Sequence, residues 1–367
     1  MAQPNLQQIA KDNERAVLAA FKEAIQSVKD QAVIAEIAAL INAGDVEAIV
    51  NLLQLDAATF RPLENAVVAA YEAGGVTGAS QIGRIPVEAG TLVARFNVRS
   101  PRAEAWLRAW SSERIVDIAD DTRNVVRSVL TANLAEGVGP RTSALDLVGR
   151  FDPVTRKRTG GFIGLTQNQA EWVRNARMDL ELIGATDEQI LARFAAAGRQ
   201  VPVGYDPASS YLSRQLRDKR LDGAVAKASR EGSRLKAKQV DAAVSRYQAR
   251  ALRYRAETIA RTESINALRS GQAEAIRQAV DTGELEQEFA TKVWDSSGDA
   301  RTRFTHAMAD GQEVPIDQPF TVGGYRLMNP GDSSLGAPAG ETIQCRCFVR
   351  YRMNFAGQAS RDIRGFG

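Results

Sequence analysis

The pattern of apolar residues changes near Glu286, and this change constrains the fold more than any other feature of the 367-residue chain. Upstream, apolar residues such as Val17, Leu18 and Phe21 recur at three- and four-residue steps, the period of an amphipathic helix. Downstream, Gly, Pro and Asp separate short strand-like runs. The sequence therefore predicts a mainly α fold: a multi-helix body followed by a small C-terminal α+β module.

The same pattern predicts where the parts of the chain begin and end. Residues 1–100 are expected to form an N-terminal helical region with one strand, for which Thr91–Val98 has the alternation of a half-buried strand. We predict a helical body over residues 101–285, a compact α+β module over 286–353, and a loose tail over 354–367.

Two glycine-containing stretches interrupt the helical pattern. Gly74, Gly75, Gly78 and Gly83 predict a flexible segment that ends at Pro86. Residues 149–164 combine Asp-Pro, Gly-Gly and basic residues, which predicts an exposed loop or an internal boundary.

The overall composition excludes several classes of protein. Hydrophobic residues make up 44% and charged residues 25% of the chain, as in ordinary folded proteins. We find neither the roughly 18–20 consecutive apolar residues of a membrane span nor a secretory signal. The two cysteines, Cys345 and Cys347, are too few for a disulfide framework and fit a reducing compartment.

Positive charge is concentrated in residues 211–261, which hold 14 Lys and Arg against 5 Asp and Glu. One interpretation is contact with the phosphates of double-stranded DNA, with no reading of bases. The alternatives are a solvated helix face and a face that docks on an acidic surface of a partner protein. The residues predicted to make the contact with DNA or with a partner protein are Arg214, Arg217, Lys219, Arg220, Arg250, Arg253 and Arg255.

The C-terminal module contains the only histidine of the chain, His306, and its only two cysteines. If Cys345 and Cys347 lie on an extended strand, both thiols face the same side. Two thiolates and one imidazole supply three of the four ligands of a tetrahedral zinc ion, and such an ion would stabilise a small loop-rich module. Zinc is the cofactor that these residues would hold.

Other interpretations of the same residues remain open. Asp295, Asp299 or Asp332 could supply the fourth zinc ligand, whereas without a metal the cysteines would be small buried hydrophobes and His306 a hydrogen-bonded turn residue. A disulfide between the two cysteines is a further alternative.

A polar set in the same part of the chain allows a catalytic or a structural interpretation. In the catalytic one, His306 is a general base and Arg301 binds an anion, as in a hydrolase or nuclease. In the structural one, which we favour because no recognisable catalytic motif accompanies the set, a network joins the Arg261 helix to the C-terminal sheet. The predicted network residues are Arg261, Glu263, Trp294, Asp295 and Arg301.

The order of these residues resembles the C-terminal module of the phage Mu F-type head-morphogenesis, or minor head, proteins of tailed bacteriophages. The matching elements in this chain are Trp294-Asp295, Arg301, His306, Asp310-Gly311-Gln312, Phe320, Pro330-Gly331-Asp332, Ala337-Pro338 and Cys345-Arg346-Cys347.

The resemblance extends upstream, to residues 255–263 and 161–169, and covers about residues 110–352. The chain departs from the family pattern at Ser296-Ser297-Gly298, which has the character of an insertion, and at Gln344, where the family is expected to have Asn.

The resemblance implies a non-enzymatic structural protein of the virion that is assembled in the host cytoplasm. It implies the portal protein and other capsid proteins as partners, an oligomer on a symmetric vertex, and a role in head morphogenesis and in DNA packaging or ejection. The alternatives are a metal-dependent hydrolase or nuclease-like module and a DNA-binding escort protein. No membrane partner is expected in the assembled state.

Overall fold

The structure, a computed structural model, describes residues 6–82, 84–87 and 90–358, with the backbone alone for residues 84–87 and 90–92. The helices are α1 Leu6–Gln31, α2 Ile34–Ala43, α3 Val46–Leu52, α4 Arg61–Ile82, α5 Pro101–Trp110, α6 Val116–Ala135, α7 Pro140–Val148, α8 Gln167–Leu182, α9 Asp187–Ala196, α10 Pro207–Ser213, α11 Asp222–Glu231, α12 Ala237–Asp281, α13 Phe304–Met308 and α14 Ala339–Thr342. The strands are β1 Arg84–Val87, β2 Gly90–Val93, β3 Arg150–Asp152, β4 Lys157–Thr159, β5 Ala290–Asp295, β6 Glu313–Pro315, β7 Phe320–Val322, β8 Tyr325–Leu327 and β9 Phe348–Met353.

The predicted fold class, mainly α with a small C-terminal α+β module, is confirmed. Local capping chemistry explains several helix starts. The carboxylate of Asp45 accepts a hydrogen bond from Ala48 N at the start of α3, and the hydroxyl of Ser100 accepts one from Ala103 N at the start of α5. Both caps satisfy backbone donors that the first turn of a helix leaves unpaired.

The described residues form two compact units, each assembled from separated segments of the chain. The first unit comprises Met1–Phe21, Arg61–Glu113 and Glu257–Gly367, and the second comprises Lys22–Phe60 and Arg114–Ala256. These units do not follow the predicted boundaries at residues 100 and 285, because α1 and α12 each contribute residues to both units. Of the predicted tail, residues 359–367 lie outside the described residues.

The glycine-rich segment predicted to be flexible is helical where the structure describes it, so that prediction is wrong for Gly74, Gly75 and Gly78. The reason is a close approach of α4 to α12 within the first unit. A Cβ atom at Gly74 would overlap the backbone of Leu268, and one at Gly271 would overlap the backbone of Tyr71. Glycine is present here because it lets two helix backbones touch, and not because the chain must bend.

The predicted strand Thr91–Val98 is shorter than expected, since β2 ends at Val93. The alternation nevertheless persists, because Ala94 is buried, Arg95 is exposed and Phe96 is half-buried. The side-chain amide of Gln278 binds both backbone groups of Asn97. It accepts a hydrogen bond from the Asn97 N–H at 2.8 Å and donates one to the Asn97 carbonyl at 2.9 Å. A side chain thus satisfies backbone groups that a neighbouring strand would otherwise bind.

Residues 149–164, predicted to be a loop or boundary, contain the antiparallel hairpin β3–β4, in which Phe151 faces Arg158. The prediction missed the hairpin because its strands are three residues long and polar. The whole stretch lies within the second unit and is therefore not a boundary.

The C-terminal module is built on a three-stranded antiparallel sheet in the order β6-β5-β9, with β7–β8 as a separate hairpin. Trp294 in the central strand β5 and Phe320 in β7 are fully buried, and their rings meet edge to face at 5.3 Å. The two cysteines belong to the same hydrophobic core. Among the described residues, no helix combines the length and apolar character that crossing a bilayer requires.

Candidate metal centre

His306 lies in the short helix α13 with its side chain directed into the core of the C-terminal module. The turn that follows the helix is held against β5, because Gly311 N donates to Trp294 O and Trp294 N donates to Gln312 O, both at 2.9 Å. The imidazole packs edge to face on the Trp294 ring at 5.4 Å. The strand therefore positions the histidine through both backbone and side-chain contacts.

Cys345 and Cys347 lie in an irregular segment between α14 and β9, and not on an extended strand, the condition under which the sequence placed both thiols on one side. The chain reaches this segment through Gln344, a non-glycine residue with a φ of +55°. Asn, the residue expected from the family pattern, tolerates this left-handed conformation better than most residues. The backbone N–H of Gln344 donates to Thr262 Oγ1 at 3.1 Å and its amide to Thr258 Oγ1 at 2.8 Å, which fixes the turn against α12.

Although the cysteines precede β9 instead of lying on a strand, the three side chains converge as the sequence predicted. His306 Nδ1 lies 3.4 Å from Cys347 Sγ and 3.6 Å from Cys345 Sγ. Each of the three residues exposes no more than 2% of its surface. The described residues contain this set as a group that could hold a metal ion, with all ligand atoms within 4.8 Å of one another.

The other ring nitrogen of His306 faces a carboxylate. His306 Nε2 lies 3.0 Å from Glu341 Oε2, which also accepts a hydrogen bond from the hydroxyl of Thr305 at 2.9 Å. A hydrogen bond from Nε2–H to this carboxylate leaves a lone pair on Nδ1 of the neutral ring, directed at the two sulfur atoms. Glu341 thus selects the tautomer that can bind a metal through Nδ1.

Arg269 approaches the cysteines from α12 and is fully buried. Its guanidinium donates to Pro330 O at 2.7 Å, to Cys345 O at 3.0 Å and to Cys347 O. It also lies 3.6 Å from Cys345 Sγ. Burial lowers the pKa of Arg269, and the neighbouring cysteines oppose that shift. One buried cation therefore binds the backbone of the cysteine segment and faces its thiols.

The two thiols have unequal acidity. A hydrogen bond from Cys347, together with the positive charge of Arg269, lowers the pKa of Cys345 well below its ordinary value, against the effect of burial. The same hydrogen bond and burial raise the pKa of Cys347. The pair thus favours a single thiolate, at Cys345, when no metal is bound.

The three aspartates predicted as a fourth ligand lie elsewhere. Asp295 pairs with Arg350 at 3.4 Å, and Asp299 pairs with Arg346 at 2.7 Å. Asp332 accepts hydrogen bonds from Met328 N and from the Ser334 hydroxyl. None of them joins the group of described residues around His306.

The arrangement is compatible with two kinds of chemistry. A thiol, an imidazole and a carboxylate in sequence are the order of a nucleophile, a base and an orienting acid. Both thiols are almost completely buried, however, so a substrate has no access to them in this conformation. Two sulfur atoms and an imidazole nitrogen facing one point are better suited to holding a metal ion.

The five residues of the predicted polar network enter separate contacts. Arg261 pairs with Glu14 at 2.9 Å, and Glu263 accepts a hydrogen bond from Trp110 Nε1 at 2.7 Å. Trp294 lies in the apolar core, Asp295 pairs with Arg350, and Arg301 is exposed, with its backbone N–H bound to Asp299. Among the described residues, Arg269 and Gln344 join the Arg261 helix to the segment that precedes β9.

Sequence reasoning missed Arg269 and Glu341. Glu341 was within reach of such reasoning, since it lies four residues before Cys345 in the segment that carries the resemblance. Arg269 gave a weaker signal, a cation among the apolar residues Ile265, Ala267 and Leu268.

The basic segment has a different environment in the second unit. Arg214 pairs with buried Asp179 at 2.7 Å, while Arg220 and Arg250 pair with buried Asp218 at 3.1 and 3.5 Å. Much of the positive charge predicted to face DNA therefore binds carboxylates of the same chain.

The remaining predicted contact residues differ in exposure. Arg217 pairs with Asp222 at 3.1 Å, whereas Lys219 and Arg253 are exposed. Arg255 does not fit a contact surface, because its side chain is only 6% exposed and binds Asp121 and the carbonyl of Gly164. Burial lowers the pKa of Arg255 to about 10.

Comparison with known families gives one match, to the family described as Phage Mu protein F like protein, over residues 219–350. Comparisons with curated proteins and with solved structures found no match. The matched region contains all but the first eight residues of the basic segment, the whole of α12, and His306, Cys345 and Cys347. The stretch 161–169 and the rest of the predicted span before residue 219 lie outside it. The predicted resemblance is confirmed over residues 219–350, where the chain is similar to the phage Mu protein F-like family and so relates to phage head proteins.

Proposed function

We propose that the protein is a minor head protein of a tailed phage, with a structural role in head morphogenesis at the portal vertex. The observation that carries this proposal is the family match over residues 219–350. Its partners are then the portal protein and other capsid proteins, on a vertex whose symmetry can impose an oligomer. The protein would be made in the host cytoplasm and carried in the virion.

Exposed apolar side chains on the C-terminal module support binding to another protein. Phe304 and Met308, four residues apart on α13, are 79% and 71% exposed. Residues at this spacing share one face of a helix. Large apolar side chains grouped on a surface often mark an interaction site. This face is our candidate for the contact with a head protein.

A structural role also agrees with the burial of the His306 cluster, which keeps both thiols away from substrates. DNA contact has less support, because buried Asp179 binds Arg214 and buried Asp218 binds Arg220 and Arg250, all of which the sequence assigned to phosphates. Two of the tyrosines in the basic segment, Tyr211 and Tyr247, are buried and so not placed to stack on bases.

The test is incorporation into particles during infection by the phage that encodes the chain. Purified particles should contain the chain together with the portal protein, as measured by quantitative mass spectrometry. The double variant Phe304→Asp/Met308→Asp should reduce incorporation at least tenfold while the isolated protein keeps its helical circular dichroism.

The matched control is Phe151→Asp in the second unit, where the side chain is 58% exposed. This variant should enter particles normally. Infectious particles that lack the wild-type chain altogether would refute the proposal. Normal incorporation of the double variant would remove the α13 face from it.

A further inference from the structure

We propose that His306, Cys345 and Cys347 bind one zinc ion through Nδ1 and the two Sγ atoms, and that Glu341 orients the histidine. The ion would join the helix α13, which carries His306, to the segment before β9, which carries the cysteines. This inference is independent of the proposed role in phage heads, since it rests on the geometry of the cluster alone.

The distances agree with tetrahedral zinc. Zinc lies about 2.3 Å from a thiolate sulfur and about 2.0–2.1 Å from an imidazole nitrogen, so tetrahedral angles separate these ligand atoms by about 3.6 Å. The two separations in the structure are 3.4 and 3.6 Å. A single N–H on Nδ1 would point at one sulfur, whereas a metal ion accounts for two nearly equal separations.

The contact between His306 Nε2 and Glu341 has the form of a carboxylate–histidine–metal arrangement, in which the carboxylate fixes the orientation and tautomer of the ring. Thr305, on the same helix as His306, donates a hydrogen bond to that carboxylate and holds it in place. Glu341 is therefore a positioning residue, and the ion itself would contact three side chains.

The charges of the buried groups also balance around a zinc ion. Two thiolates neutralise Zn²⁺, and the cation of Arg269 then faces the anion of Glu341 across a cluster with no net charge.

A fourth ligand completes the tetrahedron, and we assign it to a water molecule, as in zinc sites with three protein ligands. Among the described residues, Trp294 Nε1 and Arg269 Nε are buried donors without a hydrogen-bond partner. Both residues contact the cluster, Trp294 through the imidazole and Arg269 through Cys345. An oxygen at the metal is the kind of acceptor that such donors lack.

The first experiment measures metal in the full-length protein, purified under reducing conditions without added metal. Elemental analysis should give about one zinc per chain, and a strong chelator should remove it and lower the melting temperature, with recovery on adding zinc. Replacing zinc by Co²⁺ should produce a thiolate-to-cobalt charge-transfer band and the intense visible bands of a four-coordinate ion.

The variants assign the ligands. Cys345→Ser, Cys347→Ser and His306→Ala should each lose the bound zinc, whereas Arg346→Gln, which changes the residue between the two cysteines, should keep it. Glu341→Gln should retain one site with an affinity about 10- to 100-fold weaker, as expected for loss of a group that orients a ligand.

The wild-type protein decides the outcome even if the ligand variants fail to fold. Absence of zinc, together with a Co²⁺ titration that gives no charge-transfer band, would overturn the proposal in favour of a metal-free hydrogen-bonded cluster. Full retention of zinc in Cys345→Ser/Cys347→Ser would overturn it as well.

Discussion

Both compact units bury charged side chains whose partners lie within the same unit. The example from the first unit is a cation, and the examples from the second unit are carboxylates. In the first unit, the cation of Arg269 is surrounded by the carbonyl oxygens of Pro330, Cys345 and Cys347. In the second unit, the carboxylates of Asp179 and Asp218 are buried, and arginines bind them. Buried ions of either sign need partners, because removal from water costs several kcal/mol per ion.

The difference shows what the charge pattern of the sequence means. In the second unit several of the surplus arginines pair with buried carboxylates. The positive charge of the basic segment is therefore in part required for the stability of the fold. In the first unit a cation binds carbonyl groups and leaves an imidazole and two thiols facing each other. In the second unit the buried charges are neutralised by the unit's own side chains. In the first unit the arrangement leaves a place where an added ion can bind.

The largest expected effect is on Arg269. Arg269→Met leaves three buried carbonyl oxygens without their donor and should lower the free energy of unfolding by about 3–5 kcal/mol, because each such acceptor costs about 1–3 kcal/mol. Denaturant unfolding followed by near-ultraviolet circular dichroism measures it. The control Arg346→Gln removes an exposed pair and should cost no more than about 1 kcal/mol. Equal losses in the two variants would contradict a special role for the buried cation.

A matched pair of lysines sharpens the comparison, because among the described residues each unit buries a lysine whose Nζ donates to a carbonyl oxygen. Lys29 Nζ donates to Gly160 O at 2.8 Å and Lys292 Nζ to Met328 O at 2.6 Å. Burial lowers the pKa of both lysines from 10.5 to about 8; for Lys292, Arg277 adds to the effect. Between pH 8 and 10.5 the unfolded chain thus binds protons that the folded chain does not.

Stability should therefore rise with pH in this window, by about 3 kcal/mol for each lysine. The free energy of unfolding of Lys29→Met should lack the increase contributed by Lys29, and that of Lys292→Met the increase contributed by Lys292. Thermal unfolding of both variants and the wild type from pH 7 to 10.5 measures the contributions. If the difference between either variant and the wild type stays constant with pH, that lysine does not titrate as its burial indicates.

A smaller effect is expected for Asp218→Asn in the second unit, about 2 kcal/mol at neutral pH, because its arginine partners are partly exposed to water. Burial raises the pKa of Asp218, but the contacts with Arg220 and Arg246 outweigh it and leave the pKa lowered. The stabilisation is thus full above pH 4 and is lost as the pH falls through the folded pKa.

Wild type and Asp218→Asn should accordingly converge in stability in acid. Unfolding measured from pH 7 to 3 tests this, with the exposed Asp310→Asn as control. If the difference in free energy of unfolding between the two proteins widened as the pH falls, the pKa of Asp218 would be raised in the folded state and not lowered.

The smallest effect concerns Lys219, which is exposed. Lys219→Glu should change the free energy of unfolding by no more than about 0.5 kcal/mol. If the second unit binds DNA, this variant should also reduce the salt dependence of binding, measured by fluorescence anisotropy at several salt concentrations. An unchanged salt dependence would remove Lys219 from any phosphate contact.

Much of the helical architecture could be predicted, because apolar residues at helical spacing mark a face that must be buried. Asp45 and Ser100 were recognisable as caps for the same local reason. The glycines of α4 misled the prediction, since their purpose depends on Leu268 and Gly271, about 190 residues away in the chain. Local sequence does not report which helix will lie against a glycine.

The candidate site likewise contains residues that the sequence could predict and residues that it could not. His306, Cys345 and Cys347 could be grouped because the chain offers no other histidine or cysteine and because their order resembles a known family. The cysteines do not lie on an extended strand, since Gln344 turns the chain and the pairing of β9 with β5 begins only at Phe348. Arg269 could not be singled out, because one buried arginine on a helix rich in arginines has no distinguishing local pattern.

The glycine contact between α4 and α12 has a consequence for the cluster. Side chains between two helices act as compliant spacers, whereas backbone against backbone leaves almost no freedom to slide. Arg269 lies only two residues before Gly271, at this rigid junction. The position of its guanidinium along the α12 axis, relative to the cysteines, is thereby set by the contact between the two helix backbones. Even a single methyl group at Gly271 would shift that position.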